Sequence, residues 1–164
     1  MILRVIVILF IGGIVFPVHA SFDKLVKSVS SRFDTPDWVI RKVCTHESQS
    51  YFKGKRQPWP WTLNVAGKSY WFKDKGSAIS FAELELMSGK TNFDVGICQI
   101  NWRWHGHNFS SVRELFNPIK NIEYAIKYLK KIKGDRSWKY AIGAYHSPNN
   151  QERAAQYVSS VLRL

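Results

Sequence analysis

Thr35-Pro36-Asp37-Trp38-Val39-Ile40-Arg41-Lys42-Val43-Cys44-Thr45-His46-Glu47-Ser48 is the stretch on which the fold turns. Thr35 and Pro36 predict a helix start, with a hydroxyl cap and a proline in the first turn. From there Ile40, Val43, Cys44 and Glu47 fall at i, i+3, i+4 and i+7, one face of a 3.6-residue period. A carboxylate on that apolar stripe is either paired or held neutral, because desolvation disfavours its charge. A carboxyl with a raised pKa is what a general acid needs to cleave a glycosidic bond. The competing reading of Glu47 alone is a salt-bridged structural glutamate, and the rest of the chain decides between the two.

Upstream, residues 1–20 read as an export leader. Arg4 gives a positive start, Val5 to Val18 is almost wholly apolar, and Val18-His19-Ala20 resembles a cleavage site. The apolar run is short for a transmembrane helix, so no stable membrane insertion is expected after cleavage. Arg4 is the leader's only charged side chain. Its removal leaves 144 residues, lowers the formal charge from +12 to +11, and is compatible with one domain over 21–164. A basic exported chain suits an anionic surface such as cell-wall polymer. Export and the scatter of the charge argue against nucleic acid. Cys44 and Cys98 allow either one disulfide or two packed thiols.

Downstream, the mature chain shows no repeat and no Ser/Gly linker. Phe22 to Phe33 reads as an amphipathic entry helix, and the Glu47 helix as running from Pro36 to about Ser50. Trp59 to Phe72 reads as a β-hairpin with its turn at Ala66-Gly67. Ser77 opens a helix closed by Gly89, and Phe93 to Trp102 is extended. Ser111 to Glu114 is a capping-box pattern, and further helices begin at Pro118, after Ser137, and after Pro148. The fold class is α+β, predominantly α-helical, with a small β-hairpin element.

Three segments in order carry a resemblance: Glu47-Ser48 at a helix end, then Gly96-Ile97-Cys98-Gln99-Ile100-Asn101, then Ala144-Tyr145-His146. Together they resemble the lysozyme-like SLT-type lytic transglycosylases, whose signatures are E-S, G-L-M-Q and A-Y-N. They look closest to the small exported members associated with secretion, conjugation or pilus systems. The resemblance implies a lysozyme-like fold and cleavage of the β-1,4 bond between N-acetylmuramic acid and N-acetylglucosamine in peptidoglycan, leaving a 1,6-anhydromuramoyl end. It implies Glu47 as the acid/base, Ser48 orienting groups near the scissile bond, Gln99 bonding sugar, and Tyr145 reaching Glu47 through its hydroxyl. Cys98 stands where the family often has methionine, and His146 replaces the asparagine of A-Y-N.

Asp94, two residues before Gly96, bears on the reaction type. Facing the cleft, it makes the enzyme a hydrolytic muramidase with Glu47; as a turn aspartate it bonds backbone amides. Trp59, Trp61, Tyr70 and Trp71 offer either sugar-stacking faces or a small satellite core. On the substrate reading of this segment, Lys53, Lys55 and Arg56 offer charges to peptide-stem carboxylates. His105 and His107 have metal-ligand spacing but no evident third ligand, so neither metal nor cofactor is expected. A periplasmic or otherwise exported monomer acting on glycan strands follows, beside an envelope-spanning secretion, conjugation or pilus machine. The alternative of another class is a non-catalytic peptidoglycan-binding assembly protein.

Overall fold

The computed structural model describes residues 18–52 and 55–164. Most of the leader, residues 1–17, and Lys53 of the basic stretch lie outside the described residues, and of Lys55 only the backbone is described. Helix α1 (Val18–Arg32) begins inside the segment read as leader, and α2 (Asp37–Ser48) carries Glu47. A β1–β2 hairpin (Ser50–Phe52, Lys55–Gln57) follows, then β3 (Thr62–Val65), β4 (Lys68–Trp71) and α3 (Lys75–Met87). Next come β5 (Phe93–Val95), β6 (Ile100–Asn101), α4 (Trp102–His105), a 3-10 turn (Gly106–Asn108) and α5 (Val112–Leu115). Three helices close the chain: α6 (Pro118–Lys133), α7 (Trp138–His146) and α8 (Gln151–Leu162).

The stripe of α2 buries as its spacing predicts: Ile40, Val43 and Cys44 are fully enclosed. They meet Val26 and Val29 of α1, Ile122, Ile126 and Leu129 of α6, Ile142 of α7 and Val161 of α8 in one core. The start of α2 differs from expectation. Pro36 itself occupies the cap position without a side-chain bond, while the Thr35 hydroxyl turns back to the Phe33 carbonyl. Two other starts shift likewise. Asp74 caps α3 by accepting from the Ser77 amide at 2.9 Å, and Glu114 reaches Ser110 while Ser111 caps nothing. Of the three, only at α3 does a neighbouring side-chain oxygen take a free helix amide; at α2 and α5 no side chain caps the start.

The expected hairpin is β3–β4. Its turn places Ala66 (φ 51°) and Gly67 (φ 82°) in the left-handed region, which a two-residue hairpin loop requires to match strand twist. The extended stretch 93–102 folds as β5 and β6, extending the hairpin into an antiparallel sheet of order β4-β3-β5-β6. Alternation decides what each strand residue faces. Phe93 and Val95 enter the core, and Asp94 between them turns to the opposite face. Among the described residues no helix is long and apolar enough to cross a membrane.

Between β5 and β6 the chain makes a tight reversal at Gly96-Ile97-Cys98-Gln99. Gly96 has φ 80°, and a Cβ there would lie 2.5 Å from Asn121 Nδ2 and 2.9 Å from the Leu115 carbonyl. Only glycine admits both the conformation and the approach. Asn121, fully buried on α6, holds the reversal from inside. Its oxygen accepts from the Cys98 amide at 2.9 Å, and its nitrogen donates to the Val95 and Leu115 carbonyls, both at 2.9 Å. The two open readings of the cysteines resolve here: Cys44 and Cys98 form a disulfide that ties the Glu47 helix to this turn.

Candidate active site

A cleft of about 640 Å³ opens where the C-terminal end of α2 meets the sheet and α7. Glu47, Asp94, Gln99, Tyr145 and His146, five of the six site residues expected from sequence, line it. A roomier groove of about 800 Å³ between α7 and α8 contains no carboxylate in its lining, so it offers no acid for bond cleavage.

Glu47 keeps partial contact with the cleft, while protein atoms pack densely round its carboxyl group. That burial is the main cause of a pKa pushed up to about 7. The negative charge of Asp94 acts in the same direction, and a hydrogen bond from the Tyr157 hydroxyl to Oε1 opposes both. No cation pairs with Glu47 among the described residues, so the structural salt bridge is not what the stripe hides.

Tyr157 is the partner that sequence reasoning missed. The hydroxyl expected at Glu47 was that of Tyr145, but Tyr145 donates to the Cys98 carbonyl at 2.7 Å and so braces the glycine turn. Tyr157 belongs to α8, whose Ala154, Tyr157, Val158 and Val161 read as an ordinary apolar face, and no local signal separates it from a core aromatic. It is clamped between two imidazoles: His46 meets it edge-on at 5.1 Å, and His146 stacks on it at 4.5 Å and 13°. Burial lowers the pKa of both histidines. His146 and Arg56 add to this at His46, and Arg153 at His146.

The remaining expected residues divide. Ser48 is buried and outside the cleft. Its hydroxyl donates to the Cys44 carbonyl at 2.9 Å and accepts from the Trp59 amide at 3.1 Å, so it anchors the chain beyond α2. Gln99 sits on the cleft wall in the left-handed region (φ 49°). Its Nε2 is committed to the Gly96 carbonyl at 2.8 Å and the Thr62 carbonyl at 3.3 Å, leaving Oε1 for the cleft. Asp94 is a strand residue and not a turn aspartate. Its Oδ1 accepts from Asn101 Nδ2 at 2.8 Å, directly across β5–β6, and burial raises its pKa against that bond. His146 is exposed, with Nδ1 2.9 Å from the Ser147 hydroxyl.

Trp104, His105 and Tyr128 complete the far wall without having been singled out for it. Trp104 is 65 % exposed, backed by the Arg103 guanidinium at 5.3 Å, and presents an open ring face at the cleft mouth. His105 Nδ1 lies 2.9 Å from the Tyr124 hydroxyl, and His107 Nε2 lies 3.0 Å from Asn108 Nδ2. Among the described residues no three His, Cys, Asp or Glu side chains group as a metal site.

A mostly helical α+β domain whose sheet and helices flank an acid-lined cleft is the lysozyme-like class. A model of the transglycosylase SLT domain matches residues 75–160, and the chain belongs to that family. The match takes in Asp94, Gln99, Tyr145, His146 and Tyr157; Glu47 lies before it. No match was found among curated proteins or among solved structures. Family members are peptidoglycan lytic transglycosylases.

The Tyr157 contact gives a direct expectation. A hydrogen bond to a charged group contributes roughly 1.5–3 kcal/mol, and about 1.4 kcal/mol equals one pH unit. Tyr157→Phe removes a bond that favours the carboxylate, so Glu47 should titrate about one unit higher, read by carbon-13 NMR of its carboxyl. An unmoved titration would reduce Tyr157 to packing.

Proposed function

We propose that this protein cleaves the β-1,4 bond between N-acetylmuramic acid and N-acetylglucosamine in peptidoglycan by lytic transglycosylation, with Glu47 as the single acid/base. The observation that carries this reading is the Glu47 carboxyl: densely packed by protein atoms, paired with no cation among the described residues, held near pKa 7 and lining the cleft. Protonated, it donates to the glycosidic oxygen as the muramoyl C1–O bond breaks. The resulting carboxylate, held by the Tyr157 hydroxyl, then accepts the proton of the muramoyl C6 hydroxyl as that oxygen closes on C1. One proton is given and one returned, no water enters, and a 1,6-anhydro end remains. Gln99 Oε1 is placed to accept from a sugar hydroxyl or amide, and Trp104 to stack against a pyranose ring.

A second reading draws on Asp94. Its carboxyl lines the same cleft and raises the Glu47 pKa, so it is positioned to support an oxocarbenium-like centre or direct water in a hydrolytic muramidase. Mass spectrometry of the muropeptides released from purified peptidoglycan separates the two. Anhydromuramoyl ends are expected; reducing ends would assign hydrolysis and make Asp94 the next residue to change. No release by the folded protein would leave a binding or assembly role.

The setting is part of the proposal. Residues 1–20 act as a cleaved leader, and the mature domain, 21–164, works as a monomer outside the cytoplasm beside an envelope-spanning secretion, conjugation or pilus machine. Ser21 as the first residue of the exported protein, by N-terminal sequencing, is the expected mark of that processing. Recovery of an envelope-assembly component in a pull-down would support the partner.

A further inference from the structure

The Trp-rich segment between α2 and α3 divides by strand parity. Tyr70 and Phe72 share one face of β4 and its exit and pack with Phe81 of α3, at ring separations of 4.9 and 5.3 Å. Trp59 is pinned by its indole nitrogen to the Phe72 carbonyl at 2.8 Å, and Trp61 packs against the core. These form a satellite core. Trp71 points to the other face and stays 51 % exposed.

Trp71 is held in place despite its exposure. Its indole N–H donates to the carbonyl of Ser48 at 3.3 Å, one of the free carbonyls at the end of α2 and adjacent in sequence to Glu47. With Gln49, Ser50 and Arg56 it lines a recess of about 490 Å³ on the hairpin side of that helix end. Arg56 is exposed and forms no ion pair among the described residues, and its charge is felt at His46, the residue before Glu47. A fixed indole face, an unpaired guanidinium and an amide side chain together suit a ligand with an apolar and amide body and a free carboxylate.

We infer that the recess of Gln49, Ser50, Arg56 and Trp71 binds the acidic peptide stem of the muramoyl residue positioned at Glu47. The inference rests on the peptidoglycan reading of the cleft. The glycan's N-acetylhexosamine rings are neutral, so in peptidoglycan the free carboxylates lie on the stems that branch from muramic acid. The recess begins at Gln49, two residues beyond the acid, and the stem branches from the muramoyl ring on which that acid acts. Arg56 takes the carboxylate, Trp71 the apolar face of the stem, and Gln49 a peptide amide.

Calorimetric titration tests it with two soluble ligands, N-acetylglucosaminyl-N-acetylmuramoyl tripeptide and the same disaccharide with its lactyl carboxyl capped as the methylamide in place of the peptide. Neither carries a leaving sugar on the muramoyl C1, so binding is read without turnover. The peptide-bearing ligand should bind about tenfold more tightly, the scale of one charge-assisted hydrogen bond. Arg56→Ala should abolish that preference and leave disaccharide affinity unchanged, and Arg56→Lys should restore part of it. Trp71→Phe, which keeps a ring and spares the fold more than Trp71→Ala, should retain most of the preference. Equal binding of the two ligands to the unaltered protein, or equal weakening of both by Arg56→Ala, overturns the inference. A peptide preference without glycan cleavage would uphold the recess and remove the transglycosylase reading; cleavage without the preference would do the reverse.

Discussion

Glu47→Gln should abolish glycan cleavage while making the protein more stable, and the gain should grow with pH. One carboxyl gives and recovers the proton, so turnover should fall by on the order of 10⁴. The stability effect follows from the raised pKa. The folded state holds the proton up to about pH 7, whereas the unfolded carboxyl releases it near its ordinary value of 4.5. The folded chain thus binds more protons between those values, and its stability declines as pH rises through that window, levelling above pH 7. The neutral amide does not pay that penalty and can still accept the Tyr157 hydroxyl. The variant should match the parent below pH 4.5 and exceed it at pH 8 by up to roughly 3 kcal/mol. Thermal denaturation of both proteins across pH 4.5–8 checks this, and parallel curves would show that Glu47 is not buried in the way described.

Removing the disulfide should produce the largest structural loss. Cys44 and Cys98 are 54 residues apart, and closing a loop of that length restricts the unfolded chain by about 4 kcal/mol on the entropic account. Cys44→Ala/Cys98→Ala should therefore lower the melting temperature by on the order of 10 °C. Activity should fall further than stability alone explains at temperatures where the variant is folded. The bridge fixes α2, which carries the acid, against the turn that presents Gln99 and takes the Tyr145 hydroxyl on the Cys98 carbonyl. A reductant should reproduce the double variant in the parent protein and change nothing in the variant. Unchanged melting in both would mean that Asn121 and Gly96 hold the turn unaided.

Several features were legible because they are local. The 3.6-residue stripe of α2 placed Glu47 on the inner face, and the hairpin followed from Ala66-Gly67 between alternating strands. The α+β class came from helix caps and periodicity that each span only a few residues. Helix starts were less secure: Asp74 takes the amide at α3, the Thr35 hydroxyl turns back to Phe33, and Ser111 makes no cap bond.

By itself the sequence determined that an acid would be buried on a helix, that a glycine turn would follow a short strand, and which ordered motifs mark the family. Those are matters of period, conformation and order along the chain. Only the tertiary structure decided what surrounds the acid. It replaced Tyr145 by Tyr157 at Glu47, turned Asp94 into the cleft, withdrew Ser48 from it, and joined Cys44 to Cys98. The physical reason is distance along the chain. Tyr157 lies 110 residues from Glu47, and which of two tyrosines on neighbouring helices meets it depends on how α7 and α8 pack against α2. No pattern within either helix carries that information.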